Sequence, residues 1–403
     1  MKKNDASPSP EMERGIEGVR TESIFAHAFN LIPAIGPIRM QKLLKFFGSF
    51  EKSWQADNFS LAEAGLESFI INKFLTARKN IDIENEWNKI NKNIQIITVQ
   101  DKNYPAALKE THSAPFILYI RGSVAALNNI SLAMVGTRKM TSYGQSVCEE
   151  LTTQLVQRGI TIVSGLADGI DTVAHGICLK NHGITVGVLG SGINNNCIFP
   201  AQNKPLAEKI INLGGAIISE YPPNMKAQRQ FFPARNRIIS GLSLGTIVIE
   251  APEKSGALIT AYKALEQNKE VFAVPGSIYS SRTEGCHNLI KKGAKLVTNI
   301  QDILEELPGD LHINNVGVGL DPPLQNNFNP AEKQILEIIS ASPTHIDKII
   351  KSCRLSKSQV LSAITILEIK GIIKNIENNQ YIIWQKISSS SSLPPKPEPS
   401  LNS

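Results

Sequence analysis

Residues 132–163 read LAMVGTRKMTSYGQSVCEELTTQLVQRGITIV and carry the pattern of a strand, a helix and a second strand. The apolar runs Leu132–Val135 and Ile160–Val163 predict strands buried on both faces, because a strand with one solvated face alternates apolar and polar residues. A helical pattern over Tyr143–Gln157 lies between them. This order predicts two parallel strands joined by a right-handed crossover.

The same rhythm begins at about Ile94 and continues well beyond this segment. Further strands are predicted at Phe116–Ile120, Ile184–Leu189, Ala216–Ser219, Thr246–Ile249 and Val271–Val274, with further helices at Ile170–Lys180 and Pro205–Leu213. Repeated strand–helix units of this kind predict a parallel, doubly wound sheet. We therefore expect an α/β domain over residues 94–307.

The segments before the sheet have a different character. Residues 1–20 are polar and are predicted to be a disordered arm. Residues 21–92 have helical patterns, with a tight hairpin predicted at Ile32-Pro33-Ala34-Ile35-Gly36-Pro37. This hairpin predicts a small helix-hairpin-helix (SAM-like) domain, whose hairpin amides can hold a DNA phosphate. A plain small helical bundle fits the same residues.

The C-terminal part of the chain predicts a second, smaller folded domain. Residues 308–329 are rich in Asn, Gly, Asp and Pro and are predicted to be a linker. The pattern of residues 330–386 predicts three helices and a β-hairpin, and Ser356 with Gln359 predicts a capping box at the third helix. Three helices followed by a β wing predict a winged-helix domain, which can contact DNA or protein. Residues 387–403 are predicted to be a disordered tail.

The composition excludes several classes of protein. Hydrophobic residues make up 42% of the 403 residues and charged residues 19%, so a collagen-like or wholly disordered chain is excluded. No apolar run approaches about 18 residues and the N-terminus lacks an apolar segment, so neither a membrane span nor a secretory signal is expected. The net charge of +6 permits a polyanionic partner without requiring one.

The five cysteines lie far apart in the sequence and form no C-x-x-C motif. This spacing argues against a zinc site and against a disulfide framework. We therefore expect no bound metal and a reducing, cytoplasmic location.

Small, hydroxylated and basic residues follow the predicted strands. A parallel sheet binds ligands beyond the carboxyl ends of its strands. Glycine there allows close approach of a ligand, and helix N-termini attract anions. The set therefore predicts a site for a phosphate-bearing ligand. Its members are Gly136, Thr137, Arg138, Lys139, Ser164, Gly165, Gly169, Gly190, Ser191, Gly192, Lys254, Ser255 and Gly256.

Dinucleotide binding is disfavoured by the same strand ends. No G-x-G-x-x-G follows the first strand of the repeat, and the second strand ends in Ser164-Gly165 rather than in an acidic residue that could hold a ribose. A Walker A loop is also absent from the sequence. No cofactor is therefore expected.

The segment Phe231–Gly241 contains two arginines around an asparagine, at Arg235, Asn236 and Arg237. Arginine binds phosphate through a bidentate fork, so these residues are candidate phosphate contacts. A structural ion pair with Glu220 or Glu250 explains the arginines equally well.

Acidic residues near the strand ends also allow two interpretations. They could form a hydrolytic set, or they could cap helices and pair with arginine, as carboxylates beside glycine turns more often do. The residues are Asp168, Asp171, Glu220 and Glu250. His175 follows Asp171 by one helical turn, which favours an internal hydrogen bond over catalysis.

Eight motifs in residues 104–298 have a distinctive order and spacing. They are Val135–Lys139 with Tyr143-Gly144, Val163–Asp171 with Ala174-His175, Leu189–Gly192, Ser219–Pro222, Phe232–Ser243, Glu250-Ala251, Ser255–Ala257 and Val271–Gly276. In these motifs the chain resembles the DNA-processing protein A (DprA/Smf) family. It departs from the family pattern at Phe199-Pro200, where Tyr-Pro is usual, and at Cys286-His287, where a small residue is common.

This resemblance implies an extended Rossmann-like domain that binds single-stranded DNA and forms a homodimer, with no enzymatic activity. It implies that the protein protects incoming DNA and loads the RecA recombinase during natural transformation and homologous recombination. It places DNA-phosphate contacts at Arg138 and Lys204, with Arg235 and Arg237 facing the same pocket. Phe199 or Tyr221 could stack a base, although a core role fits each aromatic side chain too.

Two other functions fit parts of the sequence. Nucleotide phosphoribohydrolases use a related pocket, but they typically carry Pro-Gly-Gly-x-Gly-Thr where this chain has Lys254-Ser255-Gly256-Ala257-Leu258. A nucleotide-sensing transcription regulator would use the winged helix on duplex DNA.

Overall fold

The computed structural model describes residues 21–308, 329–339, 343–353, 355–369, 372–377 and 379–383. These residues belong to two compact units, one within Met1–Gly317 and one within Val318–Ser403. The predicted arm over residues 1–20 and the predicted tail over 387–403 lie outside the described residues, as does most of the predicted linker over 308–329.

Within residues 21–308, nine strands form one sheet. They are β1 (Gln95–Thr98), β2 (Ile117–Gly122), β3 (Ser131–Val135), β4 (Thr161–Ser164), β5 (Thr185–Val188), β6 (Ala216–Ser219), β7 (Gly245–Val248), β8 (Glu270–Ala273) and β9 (Lys295–Leu296). Their spatial order is β1-β2-β6-β5-β4-β3-β7-β8-β9. All seven predicted strands are present with ends shifted by two residues or fewer, so the α/β prediction is confirmed.

The sheet is mostly but not wholly parallel. β2 pairs antiparallel with both β1 and β6, whereas the pairs from β6 through β9 are parallel. The predicted parallel, doubly wound sheet is therefore confirmed for β3 to β9, and β1 and β2 add antiparallel pairs at one edge. β2 pairs with β6, which comes much later in the chain, so a long-range pairing and not a local crossover sets the direction of β2.

Helices cover both faces of the sheet. They are α7 (Ala106–Lys109), α8 (Ser142–Val156), α9 (Ile170–Lys180), α10 (Lys204–Asn212), α11 (Phe231–Leu242), α12 (Gly256–Glu266), α13 (Glu284–Lys291) and α14 (Gln301–Leu304). α8, α9 and α14 share one core cluster, while α11, α12 and α13 share another. The chain runs from β3 to β4 on one side and places β7 on the other, so a crevice opens at the carboxyl ends of these strands.

From residue 21 onward, where the described chain begins, six helices precede the sheet. They are α1, which covers residues 21–30 of the described chain, α2 (Pro37–Phe47), α3 (Phe50–Gln55), α4 (Asn58–Glu63), α5 (Ser68–Asn80) and α6 (Ile83–Asn88). α1 packs on the edge of the sheet, where His27 Nδ1 lies 2.7 Å from the Tyr119 hydroxyl and Asn30 donates to the Glu220 carbonyl at 2.8 Å. The helical N-terminus is confirmed, and residues 31–36 link α1 to α2. The DNA-phosphate role of this hairpin stays a prediction.

The second unit has the predicted winged-helix fold. Its elements are α15 (Pro330–Ile338), β10 (Thr344–His345), α16 (Ile346–Ser352), α17 (Lys357–Ile369), β11 (Ile373–Glu377) and β12 (Gln380–Ile383), with strand order β10-β12-β11. The predicted capping box is present, since the Ser356 amide donates to Gln359 Oε1 at 3.0 Å and the Gln359 amide donates to Ser356 Oγ at 3.4 Å. Trp384, the predicted end of the hairpin, lies outside the described residues.

Candidate functional site

The loop after β3 is held against the start of α9. The Thr137 amide donates to the Glu250 carbonyl at 2.7 Å, and the Ile170 amide donates to the Thr137 carbonyl at 3.3 Å. Gly169 has a φ of +78°, and a Cβ there would collide with the Thr137 carbonyl. Glycine at this position therefore lets the loop approach closely, and the loop then places Arg138 at the carboxyl edge of the sheet.

The far end of the same loop is held by Glu250. This carboxylate is 1% exposed and accepts hydrogen bonds from the Thr141 amide at 2.8 Å and the Thr141 hydroxyl at 2.6 Å. A Cβ at Gly144 would collide with it. Glu250 therefore ties the end of β7 to the start of α8, so its carboxylate has a structural role.

A cavity of about 150 Å³ lies where β3, α11 and α12 converge. Six of the predicted site residues line it together, and Ala167, Asp171 and Thr260 are among the others. The six are Gly136, Arg138, Arg235, Asn236, Ser255 and Gly256. The cavity therefore lies at the switch point of the sheet, where open α/β sheets bind ligands.

Two buried charged residues of opposite sign, Arg235 and Asp171, line this cavity. Arg235 is 4% exposed and donates to the Gly165 carbonyl at 2.8 Å and to the Val188 carbonyl. Asp171 accepts from the amides of Gly165 and Ala167 at 3.0 and 3.4 Å. Burial raises the pKa of Asp171 to about 6, opposed by the Arg235 charge, and burial lowers the pKa of Arg235 to about 10. Arg235 thus already has protein partners and braces the ends of β4 and β5.

Arg138 has a different environment from Arg235. Its side chain is exposed, and its guanidinium carbon lies 5.8 Å from the centre of the Phe232 ring. Phe232 in turn lies 5.6 Å from the ring of Phe199, which is 49% exposed. Gly190 makes room for Phe232, since a Cβ there would lie 2.9 Å from that ring. The rim therefore presents a cation next to an accessible aromatic surface.

Arg237 is not among the residues that line the cavity. It forms an ion pair with Glu220, and both side chains are largely buried. Successive residues of an α-helix are rotated by about 100°, so Arg235 and Arg237 of α11 point to different sides. The structural ion pair with Glu220, which the sequence allowed as an alternative to phosphate binding, is therefore present for Arg237. Its contact with DNA remains only a prediction.

The predicted hydroxyl donors are engaged within the loops. The Ser164 hydroxyl donates to the Met134 carbonyl at 2.6 Å, and the Ser191 hydroxyl donates to the Gly192 carbonyl at 3.1 Å. Ser255 caps α12 by accepting from the Ala257 amide at 3.2 Å, and Thr137 accepts from the Lys139 amide at 3.2 Å. These groups shape the strand-end loops, and the exposed cations remain the groups best placed to attract an anion.

Several lysines lie in segments that follow the carboxyl ends of the strands, although none of them is among the residues that line the cavity. Lys139 and Lys254 are exposed, and Lys204 is half-buried at the start of α10. Lys226 and Lys204 both act on the Cys197 thiol, lowering a pKa that burial raises. In the described part of the chain none of these lysines forms an ion pair. Sequence reasoning missed Lys226 and Phe232, although their place after β6, beyond a carboxyl end, could have indicated them.

The remaining candidate acid and histidine have internal partners. Asp168 accepts from Gln202 Nε2 at 2.7 Å. His175 is fully buried, its Nδ1 lies 2.7 Å from the Thr185 hydroxyl, and burial lowers its pKa to about 3. The internal hydrogen bond expected for His175 is thus present. Among the described residues, no group of three His, Cys, Asp or Glu side chains could hold a metal ion.

Tyr221 packs face to face on Phe231, with ring centres 4.2 Å apart. It is half-buried, so one face of its ring is already covered by protein.

In the described chain, no helix has the length and apolarity required to cross a bilayer.

Comparison with known proteins adds independent information. The family model for DNA recombination-mediator protein A matches residues 95–308, and that for the DprA winged helix domain matches residues 321–377. The chain is 34% identical to Protein Smf of Synechocystis sp., over 90% of this chain and 98% of that protein. It is 40% identical to DNA processing protein DprA of Bacillus subtilis, over 64% of this chain and 89% of that protein. The X-ray structure of DNA processing protein A from Streptococcus pneumoniae superposes with a TM-score of 0.61 at 34% identity, covering 71% of this chain and 97% of that one.

Proposed function

This chain belongs to the DNA recombination-mediator protein A family, and we propose from that premise that it binds single-stranded DNA along the carboxyl edge of its sheet. Proteins that bind single strands without reading sequence combine a basic groove for the phosphates with aromatic side chains for the bases. The rim around Arg138 offers both kinds of group. The pairing of Arg138 with Phe232 is the observation that carries the proposal.

Each part of the rim has a role in this proposal. Arg138 holds a phosphate from the solvent side, with Lys139 and Lys254 adding charge nearby. Phe199 is the more accessible of the two rim aromatics and stacks a base. Lys204 holds a second phosphate beyond Phe199. Arg235 keeps the loops after β4 and β5 in place, so its effect on DNA is exerted through the shape of the cavity.

The protein then acts as a mediator of recombination. We propose that it protects incoming single strands during natural transformation and helps to load the RecA recombinase on them. A homodimer would present two such rims to one strand. These roles rest on the family resemblance and are carried out in the cytoplasm, where the five free cysteines stay reduced.

No catalytic step is part of this proposal. The four carboxylates nearest the strand ends already accept hydrogen bonds or ion pairs from protein groups, namely Asp168, Asp171, Glu220 and Glu250. A hydrolytic carboxylate needs access to a substrate atom or water within hydrogen-bond reach. Binding without hydrolysis is therefore the activity that the site supports best.

One titration tests the proposal against its rivals. The full chain is titrated with fluorescent single- and double-stranded oligonucleotides of equal length, and release of base from nucleoside monophosphates is measured in parallel. We expect tighter binding to the single strand and no base release. A clear preference for duplex would favour a winged-helix regulator, and base release would favour a phosphoribohydrolase, so either result would overturn the proposal.

A further inference from the structure

A groove separate from the strand-end cavity runs along α2. Its volume is about 620 Å³, which falls within the range of about 300–1,000 Å³ seen for ligand pockets. Leu44 and Lys45 of α2 form one wall, and Val99, Lys109, His112 and Phe116 lie opposite. The opposite wall belongs to the segment that connects β1 to β2. We refer to this site as the α2 groove.

Two faces of α2 have different roles: one packs in the core of the helical domain, and the other lines the α2 groove. Met40 and Leu43 are fully buried in the core of the helical domain. Gln41, Leu44 and Lys45 are spaced three and four residues apart and so share a second face, which lines the groove. Ile38 is next to that face and is 51% exposed. Ile38 therefore adds apolar surface beside the groove.

The charges of the groove all have one sign. Lys45, Lys109 and His112 are exposed at the rim, and neither lysine forms an ion pair within the described residues. The neighbouring acids Asp101 and Glu110 are not among the residues that line the groove. Asp101 accepts from the amide and hydroxyl of Thr98 at 2.5 and 2.8 Å, and the charge of Glu110 acts on Lys269. The rim therefore attracts negative charge on both sides of an apolar floor.

The apolar floor of the α2 groove favours a peptide over a nucleic acid as the ligand. Phe116 is only 5% exposed, so its ring offers no free face on which a base could stack. Leu44 and Val99 are partly buried and leave room for an aliphatic or aromatic side chain between them. A segment with acidic residues flanking an apolar side chain would match both the floor and the rim. Electrostatic complementarity of this kind sets specificity and association rate.

We propose that the α2 groove is a docking site for an acidic peptide segment of a partner protein, which places an apolar side chain between Leu44 and Val99 and its carboxylates against Lys45 and Lys109. This site lies outside the strand-end cavity and does not depend on DNA binding. It gives the helical domain a role in recruiting a protein while the sheet holds the nucleic acid.

Peptide binding to the full chain tests this proposal. The probe is a fluorescein-labelled peptide of sequence DDELFDD, measured by anisotropy. One control peptide replaces its two apolar residues with serine, and another replaces its acidic residues with lysine. We expect the probe to bind at least about tenfold more tightly than either control, and to weaken with rising salt. Equal binding of all three peptides, or no binding, would overturn the proposal.

Variants locate the binding site. The double change Lys45→Glu/Lys109→Glu is expected to weaken probe binding by about tenfold, because two exposed attractions become repulsions. The matched double change Lys79→Glu/Lys180→Glu alters the net charge equally at exposed positions outside the groove and is expected to leave binding within about twofold. Similar losses in both double variants would contradict the proposal. Melting temperatures of both variants check that the fold is retained.

Two competitors identify other occupants. If a peptide of residues 9–20, SPEMERGIEGVR, binds at the groove while the probe does not, the groove accepts this chain's own N-terminal segment and the proposal is wrong. If hexathymidylate displaces the probe and the Lys45→Glu/Lys109→Glu variant loses DNA affinity equally, the groove is part of the DNA site and the proposal is also wrong. Retained binding to DNA with lost binding to the probe supports the proposal.

Discussion

The guanidinium carbon of Arg138 lies 5.8 Å from the centre of the Phe232 ring. Arg138 follows β3 and Phe232 lies in the first turn of α11, so the contact joins two segments that are far apart in the sequence. A cation over an aromatic ring is stabilised by about 0.5–1 kcal/mol at an exposed site. The ring therefore orients the arginine toward solvent while leaving its donors available to a phosphate.

Replacing Phe232 with leucine should weaken single-strand binding by about threefold to tenfold, because the cation–π contact and the aromatic surface beside Phe199 are both lost. The matched control is Phe46→Leu, an aromatic that is 52% exposed on α2 and distant in the fold from the rim. Affinity for a single-stranded oligonucleotide is the measurement. Equal effects of the two substitutions would show that Phe232 has no specific role at the rim.

Gly169 precedes α9 and Gly176 lies inside it, and replacement of each by alanine should have opposite effects on the stability of the protein. Gly169→Ala should destabilise the protein by about 1–3 kcal/mol, since its φ is positive and a Cβ would strike the Thr137 carbonyl. Gly176→Ala should instead stabilise it by about 0.5–1 kcal/mol, because Gly176 lies inside the helix with open space around it. Urea unfolding of both variants checks the prediction. A neutral Gly169→Ala would mean that the loop carrying Arg138 is not held as described.

The stability of the helical domain should depend on the protonation of His27. Burial lowers the pKa of this residue to about 4, so between that value and 6.5 the unfolded chain binds a proton that the folded chain does not. Stability is therefore complete above pH 6.5 and falls as the pH is lowered, by about 1.4 kcal/mol per pH unit for one such group. Buried His175 acts in the same direction, whereas Asp171, whose pKa is raised, acts in the opposite direction below pH 6.

The substitution His27→Gln isolates this contribution. Glutamine can still bond to the Tyr119 hydroxyl but cannot be protonated in this range. The difference in the free energy of unfolding between pH 6.5 and pH 5 should therefore be smaller in the variant than in the parent by about 1.5 kcal/mol. An unchanged pH profile would show that His27 is not held neutral by burial.

Single-strand affinity should fall steeply with salt. Each neutralised phosphate of a single strand contributes about 0.7 to the slope of log affinity against log salt concentration. Two to five contacts from the rim cations predict a slope between about 1.4 and 3.5, and Arg138→Ala should reduce it by about 0.7. Titrations at several salt concentrations give the slope. A flat response would indicate that the rim does not contact the DNA backbone.

The sheet could be predicted because its strands are continuous apolar runs with helical segments between them. β1 and β9 escaped prediction because Gln95–Thr98 has only two central apolar residues and Lys295–Leu296 is too short to form a pattern. The antiparallel direction of β2 was not predicted either. Local sequence does not record which later strand, here β6, will pair with it.

The site could be predicted only as far as strand ends define it. Arg138 was placed at the rim by its position after β3. The separate environments of Arg235 and Arg237 could not be foreseen, because they depend on the rotation of α11 relative to the sheet. The position of Phe232 after β6 could have indicated that it lies near the rim, but its contact with Arg138 is a tertiary contact that local sequence does not encode.

Single-strand binding at the rim depends most directly on Arg138. One paired measurement tests this dependence: the single-strand affinity and the melting temperature of Arg138→Ala are compared with those of Lys180→Ala. Lys180 is an exposed lysine at the opposite end of α9, so its loss removes the same charge away from the rim. Loss of a charge-assisted contact of about 1.5–3 kcal/mol predicts that Arg138→Ala binds about tenfold to hundredfold more weakly on any base sequence, with little change in melting temperature, while Lys180→Ala binds normally. A variant that melts much earlier while its folded fraction binds DNA as well as the parent would contradict the account and make Arg138 a structural residue.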